Sequence, residues 1–232
     1  MALPRLRQVA FAAADLEAVA GQLRAALGLD EPFRDPGVGY FGLHNAVFAV
    51  GDTFLEVVSP TREGTAAGRY LERQGGDTGY MAMVQVADMP AARARLGELG
   101  VRVVWDHTEP DIVDLHLHPR DVPGTLLALD AADPEGSWRW GGPAWTAAVP
   151  AHRPGGLREL VIAVERPDAV AARWAEVIGS PVDDSTLPMA DAAIHFVPPS
   201  GRVGIVGLTV AVPDLARTTV DIAGVRIDLV PA

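Results

Sequence analysis

The segment LRQVAFAAADLEAVAGQLRAALG, Leu6 to Gly28, returns without a gap 151 residues later as LRELVIAVERPDAVAARWAEVIG, Leu157 to Gly179. Seven of the 23 aligned positions are identical, and most of the others exchange one apolar residue for another. A chain repeated in this way must fold the same supersecondary unit more than once, and each copy becomes a control on what the other has kept. In Gln8 to Ala13, bulky Val9 and Phe11 alternate with smaller or polar residues, which is strand periodicity. Asp15 then offers a helix N-cap, Leu16, Val19, Leu23 and Leu27 form an apolar stripe, and Gly28 supplies the stop. Three strand-like segments follow, YFGLHN, AVFAVG and TFLEVVSP, so the first unit reads as βαβββ up to Pro60.

The same order begins again at Gly79. MAMVQV is a strand, Asp88 caps a helix through Leu99, and VRVVWD, VDLHLHP and TLLALD are the strands that complete a second βαβββ unit. A third unit opens at Leu157. Pro167 is acceptable in its first helical turn, and Val170, Trp174, Val177 and Ile178 are the buried stripe. Its later strands are AAIHFVP and VGIVGL, and the remainder to Ala232 is too short for a complete fourth unit, so it reads as one that has lost its helix and a strand. The expected class is α+β, with tandem βαβββ units forming open, cup-shaped mixed sheets. The expected domains are residues 1–132, with units at about 6–60 and 79–130, and 157–232, joined by a linker over 133–156. That linker carries Trp138, Trp140 and Trp145, which either pin it across the two halves or line a ligand pocket.

Composition removes several mechanisms. The chain has 232 residues, 49% of them apolar, no Cys, and nineteen basic residues that are all Arg, so thiolate, disulfide, Schiff-base Lys and P-loop Lys chemistry are excluded. A net charge of -11 argues against nucleic acid. Apolar runs are broken well before a membrane-spanning length, and Asp15 and Glu17 come too early for a secretory signal, so no membrane partner and a cytoplasmic location are expected. Gly37, Gly39 and Gly42 spell G-x-G-x-x-G but lead into strands rather than a helix, which removes a dinucleotide reading. In Gly201, Gly204 and Gly207, glycine marks a strand bulge or close approach. His44, His107, His152 and His195 are isolated, and no role is assigned to them.

Tandem βαβββ units, RYLERQGGDTGYMAMVQVADM joining the first two, and LHPRDVPGTLLALD closing the second resemble the vicinal oxygen chelate superfamily, the glyoxalase and bleomycin-resistance group. The phrasing is nearest to its methylmalonyl-CoA epimerase-like branch. The resemblance implies paired units curled around a cup. In that cup a divalent metal chelates substrate oxygens and stabilises an enolate or oxyanion while a carboxylate moves a proton. It also implies one metal ligand from the first and one from the last strand of each unit. In unit one these places hold Gln8 and Glu56, both acceptable oxygen donors. In unit two they hold Met81 and Ala128, a soft sulfur and no donor at all. Two protein oxygens make a poor metal site. Asp114, His116 and His118 share one face by the period of two, and His116 or His118 either restores a ligand or serves as a ligand contact and strand-end cap. In the later units the matching places carry Glu159, Ile205, Gly207 and Asp228. The two carboxylates, Glu159 and Asp228, are then leftovers, Arg partners, or half of a second site.

Two functions follow. The first is an isomerase, epimerase or lyase on a small oxygenated metabolite, with Glu56 as ligand or general base, Gln8 as second ligand, and His118 or His116 as proton donor or substrate contact. The second is a metal-free small-molecule binder of the bleomycin-resistance type, in which Met81, Met83, Leu126 and Ala128 form an adaptable apolar wall and the Trp linker closes over the ligand. Glu56 carries a structural alternative, a buried acid paired with an Arg. The resemblance leaves open whether units pair within one chain or between chains in a homodimer.

Overall fold

A computed structural model of the chain describes residues 4–147, 155–213 and 216–232. Two mixed sheets carry the architecture. The first contains β1 (Arg5–Ala12), β2 (Leu43–Val50), β3 (Thr53–Pro60), β4 (Thr78–Gln85), β5 (Val103–Glu109), β6 (Ile112–Leu117) and β7 (Leu126–Ala132), in the order β2-β3-β1-β4-β7-β6-β5. The second contains β8 (Gly156–Ala163), β9 (Thr186–Pro188), β10 (Ala193–Val197), β11 (Gly204–Val212), β12 (Thr218–Ile222) and β13 (Val225–Pro231), in the order β12-β13-β11-β8-β10-β9. The helices are α1 (Leu16–Leu27), α2 (Ala66–Gln74), α3 (Met89–Glu98), α4 (Pro143–Ala147) and α5 (Pro167–Ile178).

The repeat is reproduced in space. β8 and α5 follow β1 and α1 at the same offset, and both helices end on a glycine in the left-handed region, Gly28 at φ 64° and Gly179 at φ 76°. Asp15 caps α1 by accepting from the Ala18 amide at 3.1 Å, and Asp88 caps α3 by accepting from Ala91 at 2.9 Å. In each sheet the first strands of the two units pair antiparallel, β1 with β4 and β8 with β11, and each is flanked by a parallel partner.

Three expectations are corrected. Tyr40 and Phe41 are not in a strand: Pro36–Phe41 is a 3₁₀ turn, capped by Asp35 and closed by Gly42 at φ 70°, and His44 and Asn45 belong with AVFAV to the single strand β2. The missing short strand is a bridge between Phe33 and Val47. α2 was not expected, although Thr65 caps it and Gly75 ends it at φ 73°. GIVGL is not the last strand of unit three: it opens unit four as β11, whose partner β13 closes it.

One continuous apolar core joins the halves. It collects Val9, Leu55, Val84 and Leu129 from the first sheet, Leu160, Ile194, Leu208 and Ile227 from the second, and the buried faces of α1, α3 and α5. α1 also touches β12, on the side of the second sheet where unit four has no helix of its own. Polar ties cross the same boundary. The Thr53 hydroxyl accepts from the Leu157 amide at 2.9 Å, the Trp174 indole donates to the Pro123 carbonyl at 2.8 Å, and Arg95 donates to the carbonyls of Val177 and Ile178 at the end of α5.

Candidate functional site

The inward faces of β1, β3, β4, β6 and β7 form a concave surface, and part of it is filled from within the chain. Trp138 and Trp145, from the segment after β7, pack with Ala10, Val47, Phe54, Met81, Met83, Ile112 and Ala128 as a second apolar cluster. Trp138 is fully buried, and Arg7 lies 5.3 Å from its ring centroid while donating to the Gly136 carbonyl at 3.0 Å. Burial depresses the Arg7 guanidinium to about 10, with Arg5 adding to the effect. The described part of the Trp segment is therefore a strap on the first sheet; His152 and the rest of the linker up to 154 lie outside the described residues. The tryptophans do not pin the linker across the two halves, since they pack on the first sheet alone, and Trp140 lines the space that remains.

That space is a cavity of about 320 Å³. Its floor carries a chain of buried polar groups. The Trp138 indole donates to Gln8 Oε1 at 2.7 Å, Gln8 Nε2 donates to Glu56 Oε2 at 2.9 Å, and Asn45 Nδ2 donates to Glu56 Oε1 at 2.7 Å. Glu56 is thus paired with amides and not with an Arg. Burial raises its pKa above the usual carboxylate value, while the two amide donors oppose the shift. Such a group holds its proton longer than an exposed glutamate.

The opposite wall comes from β6 and β7. His116 Nε2 lies 3.0 Å from Asp114 Oδ2, and Asp114 stands directly across the ladder from Asp130. The Trp140 indole donates to Asp130 Oδ1 at 2.8 Å. Burial, followed by the charge of Asp114, pushes the Asp130 carboxyl well above its ordinary range. The cavity mouth is aromatic: Tyr40 and Phe41 of the 3₁₀ turn lie 4.7 and 4.8 Å from Trp105, and His107 lies 5.6 Å from Trp105.

Most of the expected site residues meet here. Gln8, Glu56, Met81, Met83, His116 and Leu126 all line the cavity. Ala128 is buried in the cluster beneath it. His118 does not join them. It follows β6, and its Nδ1 accepts from the Arg120 amide at 3.1 Å beside the Arg102–Asp121 pair, so it caps the strand end. His107, which had no role in the sequence reading, is on the wall.

The residues at the four places where the superfamily holds its metal do not fit one. Met81 and Ala128 offer no hard donor, Gln8 Oε1 is taken by the Trp138 N–H, and both Glu56 oxygens accept from amides. Among the described residues, no group of three or more His, Cys, Asp or Glu is disposed to hold a metal ion.

In the second sheet the register corrects the matching. Ala10 faces Glu56 and Val161 faces His195, so His195, not Ile205, stands in the place of Glu56. Thr209 donates to Glu159 at 2.6 Å, Thr219 donates to Asp228 at 2.5 Å, and Arg226 holds the Asp228 carboxyl below its usual value. These groups are partly exposed and satisfied by near neighbours.

Comparison with known proteins agrees with this architecture. A family model described as a glyoxalase-like domain matches residues 8–178. The ethylmalonyl-CoA/methylmalonyl-CoA epimerase of Cereibacter sphaeroides is 36% identical over 137 residues, covering 54% of this chain and 96% of the relative. A methylmalonyl-CoA epimerase solved with methylmalonyl-CoA and NH4+ superposes with a TM-score of 0.50 at 26% identity, over 56% of this chain and 96% of its own. A hypothetical protein from Staphylococcus aureus covers 100% of both chains with a TM-score of 0.72 at 8% identity, a likeness of fold alone. Among the described residues, no helix is long and apolar enough to cross a membrane.

Proposed function

The chain belongs to the glyoxalase-like domain family of the vicinal oxygen chelate superfamily, and on that premise we propose that it is an isomerase or epimerase. It moves a proton on a small oxygenated molecule in the cup of the first sheet, using its own side chains. The observation that carries this reading is that Glu56 and the Asp114–His116 pair border one cavity. Asp114 fixes His116 through Nε2, which leaves Nδ1 as the nitrogen able to accept a proton, the orienting logic of carboxylate–histidine pairs. Burial raises the pKa of Glu56, which favours the protonated form that donates to a substrate oxygen.

The step is a proton transfer next to a carbonyl. His116 takes the proton from carbon, the C–H electron pair becomes the enol double bond, and Glu56 delivers its proton to the carbonyl oxygen. Return of the proton from His116, with Glu56 recovering its own, restores the substrate; a proton from water reaching the opposite face, with His116 releasing its proton to solvent, gives the epimer. From the epimerases named above we take the reaction class. Deuterium uptake at the carbon beside the carbonyl, followed by mass spectrometry for methylmalonyl-CoA and for an aryl ketone, tests the reading. Uptake above the uncatalysed rate in either probe supports it, and removing the positioned acid or base should then cost about 10²- to 10⁴-fold.

A second reading, sequestration without turnover, is favoured by one observation. Both oxygens of Glu56 and both ends of Gln8 already have protein partners. Tight binding of a probe with no deuterium uptake would support it.

A further inference from the structure

The cavity has a chemical bias that its relatives' substrates do not predict. Among the described residues, its titratable lining consists of Asp35, Glu56, Asp114, His107 and His116, together with the tyrosines Tyr40 and Tyr80, and includes no Arg. His107 is spoken for by Glu109 at 3.3 Å, and His116 by Asp114. Asp35 is used by the Gly37 amide, and Glu56 by Gln8 and Asn45. Asp114 is different. It is 4% exposed, and its Oδ1 has no donor, as is true of Oδ2 on Asp130 across the ladder. Buried carboxylate oxygens without donors are costly and rare, so each calls for an explanation. Asp130 does not line the cavity, so of the two facing carboxyls it is Asp114 that borders the wall.

The other half of the bias is aromatic. Tyr40, Phe41 and Trp105 stand within 5.3 Å of one another by ring centroid, Phe41 stacks at 5.9 Å on His116, and Trp140 closes the far side. Tyr40 is 72% exposed and forms the open edge of this cluster. Rings of this kind offer a negative face to cations and a flat one to planar ligands.

We infer that the cup selects a flat, positively charged ligand, an aromatic body bearing an ammonium group, with Asp114 receiving the ammonium and Tyr40, Phe41 and Trp105 receiving the body. This rests on the reading that the first-sheet cup is the ligand site, but it does not require turnover. An anionic ligand of the acyl-CoA type would instead place any charge that enters the cup against its carboxylates, since among the described residues no Arg lines it.

The test is equilibrium binding, read by quenching of tryptophan fluorescence at pH 7, of three probes that share a naphthyl body: 1-naphthylmethylamine, 1-naphthylmethanol and 1-naphthylacetate. The amine is expected to bind about ten-fold or more tighter than the alcohol, and the acetate weakest, a range set by charge-assisted and cation–π contacts. Asp114→Asn should bring the amine down to the alcohol, while Trp105→Leu should weaken both. Acetate binding as tightly as the amine, or an amine no better than the alcohol, overturns the inference, and the wild-type series alone decides this if a variant does not fold. An amine preference that survives in folded Asp114→Asn overturns the role of Asp114. Because the readout is binding, selectivity can fail while deuterium exchange succeeds, or the reverse, so the two proposals fall separately.

Discussion

Glu56 in the first sheet and His195 in the second occupy equivalent places on equivalent strands, yet one is 7% exposed and the other 33%. The sheets themselves do not account for the difference. In the first half, the chain between α1 and β2 forms the aromatic 3₁₀ turn, α2 lies beside β3 and β4, and the strap brings Trp138 and Trp140 over the remaining side. In the second half, three residues of β9 and short turns take their place. The consequence is electrostatic: enclosure pushes Glu56 and Asp130 up, whereas Asp228, in the open, is pulled down by Arg226. A βαβββ pair thus supplies positions, and the segments between its elements decide what chemistry those positions have.

The comparison can be broken most directly through rate. Glu56→Gln is expected to reduce deuterium exchange by about 10²- to 10⁴-fold, while Glu159→Gln and His195→Asn leave it unchanged. Equal losses on both sheets would mean that the halves are functionally alike. Next comes Trp138→Ala, which empties a fully buried position and removes the donor to Gln8; unfolding by denaturant should show a loss of about 3–5 kcal/mol. Val161→Ala, on the uncovered face of the second sheet, should cost about 1 kcal/mol or less.

Stability against pH sharpens the contrast in sign. For Glu56 and Asp130 the folded pKa lies above the unfolded one, so their contribution is complete below about pH 4 and is lost as pH rises through the folded values. Asp130→Asn has no such proton to lose, and its stability relative to wild type should grow from pH 4 to pH 8 in denaturant titrations. A wild-type curve parallel to that of the variant would contradict the upward shift of the enclosed Asp130 carboxyl. Smallest of all, Glu159→Ala and Asp228→Ala should stay within about 0.5 kcal/mol of wild type, since each removes only exposed polar contacts. Metal analysis of protein purified without chelator should find less than one equivalent, with no change in Glu56→Ala.

The scaffold was legible because its signals are local. Asp15, Asp88, Gly28 and Gly179 mark helix ends that short-range hydrogen bonds enforce, and a constant offset between copies needs no tertiary information. Tyr40 and Phe41 were misread because aromatic residues favour strands; the Asp35–Pro36 start and closing Gly42, which set the 3₁₀ turn, were the opposing signal. Thr65 and Gly75 would have bracketed α2 in the same way. Gln8 and Glu56 could be paired through the family resemblance, which implies a ligand from the first and last strands of a unit. Asp114 and Asp130 could not, because only the β6–β7 register puts them opposite each other, and His195 was missed because unit three lost length between its helix and its next strand.

The contact of α1 with β12 carries a consequence for how the halves hold together. A free-standing unit four would need a helix over its sheet, and here the first unit's helix shelters that flank as well as its own. Once such sharing is in place, separation is no longer neutral: a chain cut in the linker would leave the second half with an uncovered apolar back. Each half thus serves as part of the other's roof, and parting them would bare apolar surface on both.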